Sequence, residues 1–301
     1  MPQLVILGAV ALDDIRTPFG RRKNIAGGSA FYASVAASFF TKPGLVAVVG
    51  KDYPREHLRF LESRGIDTAG LEVAAGNTFR WNGFYDFDLN QAHTVKTELN
   101  VFADFQPMLP EAYRQAPFLF LGNISPQLQL DVLGQMRKRP RLVMSDTMDY
   151  YIKRERKNVL KVVREVDVAL MNDGEARMLF KTPNLVRAAR EILKLDSRIA
   201  IIKKGEHGAV LFYDNRFFAV PGYPLETVRD PTGAGDCFAG AMLGYLAKTR
   251  DLSEKNVRKA LVYGSVVASF NAEDFSCDAL RGLSMTDIRG RYNEFKRFVQ
   301  F

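Results

Sequence analysis

The 301-residue chain predicts an α/β fold in which a doubly wound, mostly parallel β-sheet lies between layers of helices. Short runs of Val, Ile, Leu and Phe without charged residues are typical of strands buried on both faces. These runs alternate with longer segments of helical periodicity. The 47% hydrophobic content is enough for a large core. Because ligands bind beyond the carboxyl ends of parallel strands, we expect a functional site at that edge.

The elements follow one another in the order that this fold requires. The first run, 4–8, is far shorter than a membrane span and has no basic residues before it, so it reads as a strand and not as a targeting segment. Strands are predicted over 4–8, 45–50, 117–122, 141–145, 167–171 and 199–203, with a hairpin partner at 209–213. Helices are predicted over 28–40, 54–64, 126–138, 153–164, 184–195, 236–248 and 254–270.

An aromatic segment interrupts this alternation. Residues 78–88 and 93–102 predict two antiparallel strands around a turn at 88–92. Their aromatic content is too high for a solvated hairpin, so we expect them to cover a ligand cleft, the core or a partner chain. The last alternative would make the protein a homodimer through this hairpin.

Composition excludes several classes of protein. The charge of +8 includes basic residues within 153–164 that recur at helical spacing, which indicates a solvated helix face, and no nucleic-acid-binding motif is found. Two cysteines are too few for a disulfide framework or a zinc site, which favours a reducing, cytoplasmic setting without membrane attachment. The histidines lack nucleophile or metal spacing and are predicted at the surface: His57, His93 and His207.

Residues 230–236 combine a glycine-rich turn with an acid at the start of an apolar helix. Gly233 and Gly235 allow backbone N–H groups and the positive end of the helix to face an anion. Asp236 beside that anion could take a proton from an alcohol, as phosphoryl transfer requires. The alternative is an ordinary helix start, since an acid there is also favoured by the helix dipole. Neither a Walker loop nor a dinucleotide fingerprint matches the chain.

Four motifs together resemble the ribokinase-like sugar kinases, also called the carbohydrate kinase PfkB family. Residues 230–241 resemble its C-terminal signature, 27–28 its N-terminal signature, 172–175 its Asn-x-x-Glu motif and 203–208 its nucleotide loop. The resemblance implies one kinase domain over 1–301, a three-layer sandwich with a small β lid formed by 14–26 and 77–104. It also implies ATP and Mg²⁺ as cofactors.

The resemblance assigns roles at the phosphoryl-transfer centre. Asp236 becomes the general base, and the backbone of Gly233, Ala234 and Gly235 becomes the anion hole. Asn172 and Glu175 would hold magnesium, through water, although the same pair is also typical of a helix capping box. Asp230 would hold a monovalent cation such as K⁺. Contacts to the nucleotide are expected from Lys203, Gly205, Gly208 and Thr232.

The acceptor side is expected around Asp13, whose carboxylate can accept two hydroxyl hydrogen bonds, and around Gly27 and Gly28. Tyr32 stands where the family has Asn, so a phenol with an apolar face replaces an amide. Further candidates for the acceptor site are Arg80, Trp81, Asn100, Asn123 and Asp146.

These features predict an ATP-dependent kinase that phosphorylates a hydroxyl of a small sugar or polyol. Tyr32 and the aromatic lid motivate the alternative of a nucleoside kinase, because a base offers a π face for stacking. A second alternative is a non-catalytic relative that binds nucleotide or sugar.

Overall fold

The computed structural model describes residues 1–214 and 216–300. In chain order its strands are β1 (Leu4–Leu7), β2 (Ala11–Thr17), β3 (Gly20–Gly27), β4 (Gly44–Gly50), β5 (Asp67–Ala74), β6 (Arg80–Tyr85), β7 (Ala92–Glu98), β8 (Phe118–Leu121), β9 (Leu142–Ser145), β10 (Val168–Asn172), β11 (Ile199–Lys203), β12 (Ala209–Tyr213) and β13 (Arg216–Val220). Its α-helices are α1 (Ser29–Ser38), α2 (Arg55–Ser63), α3 (Pro126–Gly134), α4 (Asp149–Glu165), α5 (Asp173–Phe180), α6 (Leu185–Leu193), α7 (Ala234–Thr249), α8 (Glu254–Asn271), α9 (Asp278–Arg281) and α10 (Met285–Phe298).

Nine strands form the large sheet in the order β13-β12-β11-β10-β9-β8-β1-β4-β5. The pairs from β10–β11 across to β4–β5 are parallel, and only β12 and β13 are added antiparallel at one edge. The carboxyl ends of the parallel strands therefore meet at one edge of the sheet, where Asp146 follows β9, Asn172 ends β10 and Lys203 ends β11.

Helices cover both faces of this sheet. Alternate residues of β1 belong to two different apolar clusters, with Leu4 and Ile6 in one and Val5 and Leu7 in the other. The first cluster is completed by α1, α7, α8 and α10, and the second by α3, α4, α5 and α6. The result is the three-layer α/β architecture that the alternating pattern predicts.

Helix α7 is buried nearly all round and is held against α1. At Gly240 a Cβ would lie 2.0 Å from the carbonyl oxygen of Ala33, so only glycine permits this close approach of the two helices. The N-terminus of α7 is thereby fixed relative to the sheet, which makes it a rigid support for the turn that precedes it.

A second sheet has four strands in the order β3-β2-β6-β7. Strands β2 and β6 are parallel, with Asp13 opposite Trp81 and Arg16 opposite Phe84. Because side chains alternate along a strand and register partners share a face, Asp13 and Trp81 lie on one face while Arg16 and Phe84 lie on the other. On that other face the Arg16 guanidinium lies over the Phe84 ring, and Phe84 stacks on His93.

The two sheets agree with most of the predicted elements, and the differences have physical reasons. Strand β5 is half exposed and mixes polar with apolar residues, so it lacks the apolar run used to find the other parallel strands. The surface position predicted for His57 is wrong: it is 8% exposed, on the inner face of α2. Within the described part of the chain, no helix has both the length and the apolar composition to cross a bilayer.

Candidate active site

The glycine turn before α7 has the conformation that anion binding requires. Gly233 has φ 76°, a left-handed value that any side chain would strain, and its backbone starts α7 at Ala234. The Thr232 backbone on one side of the turn donates to Oδ1 of Asp230 at 2.9 Å and accepts from Nδ2 of Asn271 at 2.9 Å. Backbone N–H groups at the start of α7 are therefore held in place with the helix dipole behind them.

Asp236 lies in the first turn of α7, partly exposed. Among the described residues its carboxylate forms no hydrogen bond and no ion pair, which leaves both oxygens free for a ligand. Burial raises the pKa of this carboxyl to about 7, assisted by the charge of Asp146 and opposed by that of Lys203. A carboxylate with a pKa close to neutral is suited to accept a proton from an alcohol.

Lys203 and Asp146 form a buried ion pair at the carboxyl ends of β11 and β9. The Lys203 Nζ lies 2.6 Å from Asp146 Oδ2, with side chains 17% and 4% exposed. Burial lowers the pKa of the Lys203 ammonium, but the charges of Asp146 and Glu175 outweigh it and the pKa is raised. A Cβ on Gly235 would lie 2.9 Å from Nζ, so the ammonium lies directly beside the glycine turn. Asp146, expected at the acceptor, thus pairs with the lysine that lies beside the glycine turn.

Asn172 and Glu175 form the capping box of α5. The Glu175 N–H donates to Asn172 Oδ1 at 2.8 Å, and the two Glu175 oxygens accept from the backbone N–H of Asn172 at 2.7 Å and from its Nδ2 at 2.8 Å. The helix capping box, predicted as the alternative role of Asn172 and Glu175, is therefore present in the structure. It is compatible with a second role, since each carboxylate oxygen retains a lone pair.

The implied magnesium ion can be tested against this donor set. Within the described residues no group of three or more His, Cys, Asp and Glu side chains is arranged to hold a metal directly. Burial and the charge of Asp146 raise the pKa of Glu175 and the charge of Lys203 opposes them, so a nearby cation would favour the ionised carboxylate. These residues fit an ion held through water, as Mg²⁺ commonly is beside nucleotide phosphates.

Asp13 is a buried polar group among the residues predicted to bind the acceptor. It is 3% exposed, lies in β2 and contacts Gly27, where a Cβ would lie 1.8 Å from its Oδ2. Burial raises the pKa of the Asp13 carboxyl well above its usual value, and the charges of Asp230, Asp14 and Asp236 add to this. Among the described residues it accepts no hydrogen bond, so its oxygens are available to substrate hydroxyls.

The structure gives the surroundings of the other residues predicted at the acceptor, which are Tyr32, Arg80 and Asn100. The Tyr32 ring is 1% exposed beneath Gly233, where a Cβ would lie 2.3 Å from its Cγ. This position supports the turn and leaves no face of the ring for a substrate. Arg80 lies on the opposite face of the small sheet from Asp13 and pairs with Asp52 at 2.9 Å. The exposed Asn100 donates to the Thr78 carbonyl and so braces the start of β6.

Three further predicted residues lie at the edges of the site. Gly28 has φ 92° and precedes α1, whose first residue, Ser29, donates to the Asn123 carbonyl at 3.4 Å. The Oδ1 of Asn123 is buried and has no partner among the described residues. Asp230 is fully buried under the turn, and burial raises its pKa. That Asp230 binds a monovalent cation stays a prediction.

The expected nucleotide loop follows β11. Gly205 and Gly208 have φ 55° and 84°; a 3₁₀ turn begins at Gly205 and ends at the exposed His207, directly before Gly208. The tip of the β6–β7 hairpin lies close by, since a Cβ on Gly205 would lie 3.8 Å from Oδ1 of Asn90. The hairpin therefore extends from the acceptor side to this loop.

Sequence reasoning missed Tyr85, the last residue of β6. Thr232 Oγ1 donates to the Tyr85 hydroxyl at 3.2 Å. This contact joins the small sheet to the glycine turn across 147 positions of sequence. The nucleotide contact expected of Thr232 stays a prediction. The aromatic content of 78–88 predicts that this segment covers something. Tyr85 could be identified only from the alternation of side chains along β6 together with the register that places Trp81 opposite Asp13.

Comparison with known proteins agrees with this geometry. Residues 10–281 match the pfkB family carbohydrate kinase profile. The cytidine kinase of Thermococcus kodakarensis is 34% identical over 260 residues, 84% of this chain and 92% of that protein. The nucleoside kinase of Thermoplasma acidophilum is 26% identical over 297 residues, 96% of this chain and 90% of that protein. A putative ribokinase II from E. coli, solved with ATP and Mg²⁺, superposes with a TM-score of 0.78 at 17% identity and covers 98% and 100% of the two chains. The chain therefore belongs to the pfkB family of carbohydrate kinases, and the ribokinase-like fold expected from its motifs is confirmed.

Proposed function

We propose that this protein transfers the γ-phosphoryl group of ATP to a hydroxyl of a nucleoside. The free sugar or polyol expected from sequence gives way to the nucleoside alternative because the cytidine and nucleoside kinases match nearly the whole chain. The fructokinase of Oryza sativa, by contrast, matches only 36% of it. The names of these relatives support nucleosides as the substrate class, and features of the candidate site support it independently.

The chemistry requires a base, an anion site and a positive charge in one place. Asp236 takes the proton of the acceptor hydroxyl, whose oxygen then bonds to the γ-phosphorus while the bond to the β-phosphate oxygen breaks and ADP leaves. Backbone N–H groups of 233–235 and the Lys203 ammonium stabilise the charge on the transferring phosphoryl oxygens. The unpartnered state of Asp236 argues against a non-catalytic relative, since a binding protein has no use for a free acid at this position.

The register of Asp13 with Trp81 is the observation that favours a nucleoside over a free sugar as the substrate. The two residues are neighbours on the same face of the small sheet. The Trp81 indole is partly exposed and lies over Gly83, where a Cβ would lie 2.2 Å from its Cζ2. A ligand whose hydroxyls are bound by Asp13 would therefore have an aromatic surface beside it, suited to a nucleobase.

The nucleotide side is proposed around Lys203, Gly205 and Gly208. Glu175 and Asn172 would hold magnesium through water, and the bound ion supplies charge neutralisation to the ATP phosphates. The protein groups themselves orient the phosphate chain: Asp146 fixes the Lys203 ammonium, and the capping box fixes the Glu175 carboxylate.

A substrate panel at fixed ATP and Mg²⁺ tests the proposed function. Cytidine, uridine, adenosine and inosine are compared with ribose and fructose, and ADP formation is measured together with the phosphorylated product. We expect kcat/KM for at least one nucleoside to exceed that for ribose at least tenfold. A higher kcat/KM for ribose or fructose than for every nucleoside would show that the protein is a sugar kinase and would contradict the nucleoside proposal.

The role of Trp81 is tested by Trp81→Leu, with Phe84→Leu as the matched control on the opposite face of the same strand. Loss of stacking should raise KM for the nucleoside roughly 3- to 10-fold and leave KM for ribose unchanged. Phe84→Leu should change neither. An equal rise in nucleoside KM for both substitutions would show that KM depends on the integrity of the small sheet and not on stacking against the Trp81 indole.

A further inference from the structure

The hydroxyl of Tyr85 has an unused proton at the acceptor end of the site. In its contact with Thr232 the Thr232 Oγ1 is the donor and the Tyr85 oxygen the acceptor, at 3.2 Å. Among the described residues no group accepts the O–H of Tyr85. A hydroxyl both donates and accepts hydrogen bonds, so the Tyr85 O–H remains available as a donor.

The surroundings of Tyr85 identify the side of the site that it faces. Tyr85 lies two residues after Gly83 and four residues after Trp81 in β6. Because side chains alternate along a strand, Tyr85 shares the face of the small sheet that carries Trp81 and Asp13. Burial raises the pKa of Tyr85, and the charges of Asp230, Asp13 and Asp236 raise it further, which keeps the phenol protonated. The carboxylates of Asp13 and Asp236 are acceptors, whereas Tyr85 offers a donor.

We propose that Tyr85 donates a hydrogen bond to an oxygen of the acceptor substrate while Asp13 accepts one from a neighbouring hydroxyl. This inference rests on the proposed function and names a specificity-determining residue for it. The matching ligand chemistry is a hydroxyl next to a second oxygen, either a vicinal diol or a hydroxyl beside a ring oxygen. A ligand without the second oxygen would leave the Tyr85 donor unpaired beside it.

Tyr85→Phe removes the donor and keeps the ring. With the best acceptor found in the substrate panel, its KM should rise about 5-fold, the typical worth of one hydrogen bond, while KM for ATP stays within 2-fold of wild type. The control is Tyr223→Phe, which removes an exposed hydroxyl bonded at 2.8 Å to Glu294 of α10. This control should leave both KM values unchanged.

Deoxy analogues identify the oxygen that Tyr85 contacts. The 2′-deoxy and 3′-deoxy forms of the nucleoside are assayed with wild type and Tyr85→Phe. One analogue should have the same KM with both proteins, because neither retains the hydrogen bond. If both analogues keep the full difference between the two proteins, a ring or base oxygen is the partner, which would still support a donor role.

Equal acceptor KM for wild type and Tyr85→Phe would overturn the role of Tyr85, as would an equal rise in KM for ATP. Thermal unfolding of Tyr85→Phe within a few degrees of wild type excludes loss of folding as the cause of any change. If the wild-type protein phosphorylates only a sugar, the nucleoside proposal fails, and the comparison of Tyr85→Phe is made with that sugar.

Discussion

The Lys203 ammonium lies 2.6 Å from Asp146 Oδ2 and directly beside Gly235 of the glycine turn that precedes α7. The ion pair joins the carboxyl ends of two strands of the large sheet to the N-terminus of α7. It also sets the electrostatics of the site, since Asp146 raises the pKa of Asp236 and Lys203 lowers it. Lys203 is thus the positive group that favours the ionised form of the proposed base.

Substitution of Lys203 by Met should lower kcat by roughly 10²-fold, because a preorganised charge on the transferring phosphoryl group is lost. It should also move the pH dependence of kcat/KM to higher pH, since the positive charge that favours ionised Asp236 is removed. The matched control is Lys153→Met, which breaks an exposed ion pair of the same 2.6 Å length with Asp149. A loss of equal size in the control would argue for a general effect on folding.

The pKa of about 7 for Asp236 predicts the pH dependence of the free enzyme. The base must be ionised, so kcat/KM should rise about tenfold per pH unit below pH 7 and level off above it. The rise with pH follows because protonation of a carboxylate removes the base at low pH. Measurement of kcat/KM from pH 5 to 9 checks this, and a flat profile down to pH 5 would mean that the carboxyl has an ordinary pKa.

Gly235→Ala should impair catalysis more than folding. The added Cβ would lie 2.9 Å from Lys203 Nζ, so the ammonium must shift and its ion pair with Asp146 is disturbed. We expect kcat to fall roughly 10-fold or more, given the sensitivity of catalysis to displacement of about 1 Å. Gly290→Ala in α10, where a Cβ meets no atom within 4 Å, is the control and should retain activity and slightly raise Tm.

Tyr32→Phe distinguishes support of the turn from contact with substrate. The Tyr32 hydroxyl is buried and has no partner among the described residues, so its removal should leave Tm unchanged or raise it. KM for the acceptor should also be unchanged, because the ring that supports Gly233 is kept. A several-fold rise in acceptor KM would return Tyr32 to the substrate-binding residues first expected from sequence.

The sequence predicts most of the fold because buried parallel strands such as β1, β4 and β8 are continuous apolar runs with clear boundaries. Strand β5 is not predicted because it lies at the edge of the large sheet and is half exposed. Its mixture of polar and apolar residues is also found in many loops. The aromatic hairpin is recognisable from composition, but its pairing with β2 depends on a contact between segments about 70 residues apart.

The candidate site is predictable to the extent that it is local in sequence. Gly233 and Asp236 lie within one helix turn, so their spacing predicts an anion site with a base, with an ordinary helix start as the alternative. The ion pair of Lys203 with Asp146 and the contact of Tyr85 with Thr232 depend on the register of distant strands, which a single sequence does not supply. For the same reason the sequence does not show that Arg80 and Trp81, neighbours in β6, lie on opposite faces of the small sheet.

The most direct test of the central claim is the rate of phosphoryl transfer by Asp236→Asn with the best acceptor. The amide keeps the size of the side chain and cannot accept the proton, so single-turnover transfer should fall by roughly 10² to 10⁴ while affinity for ATP is largely kept. The same substitution should abolish the rise of activity with pH. A rate within 2-fold of wild type would contradict the assignment of Asp236 as the base.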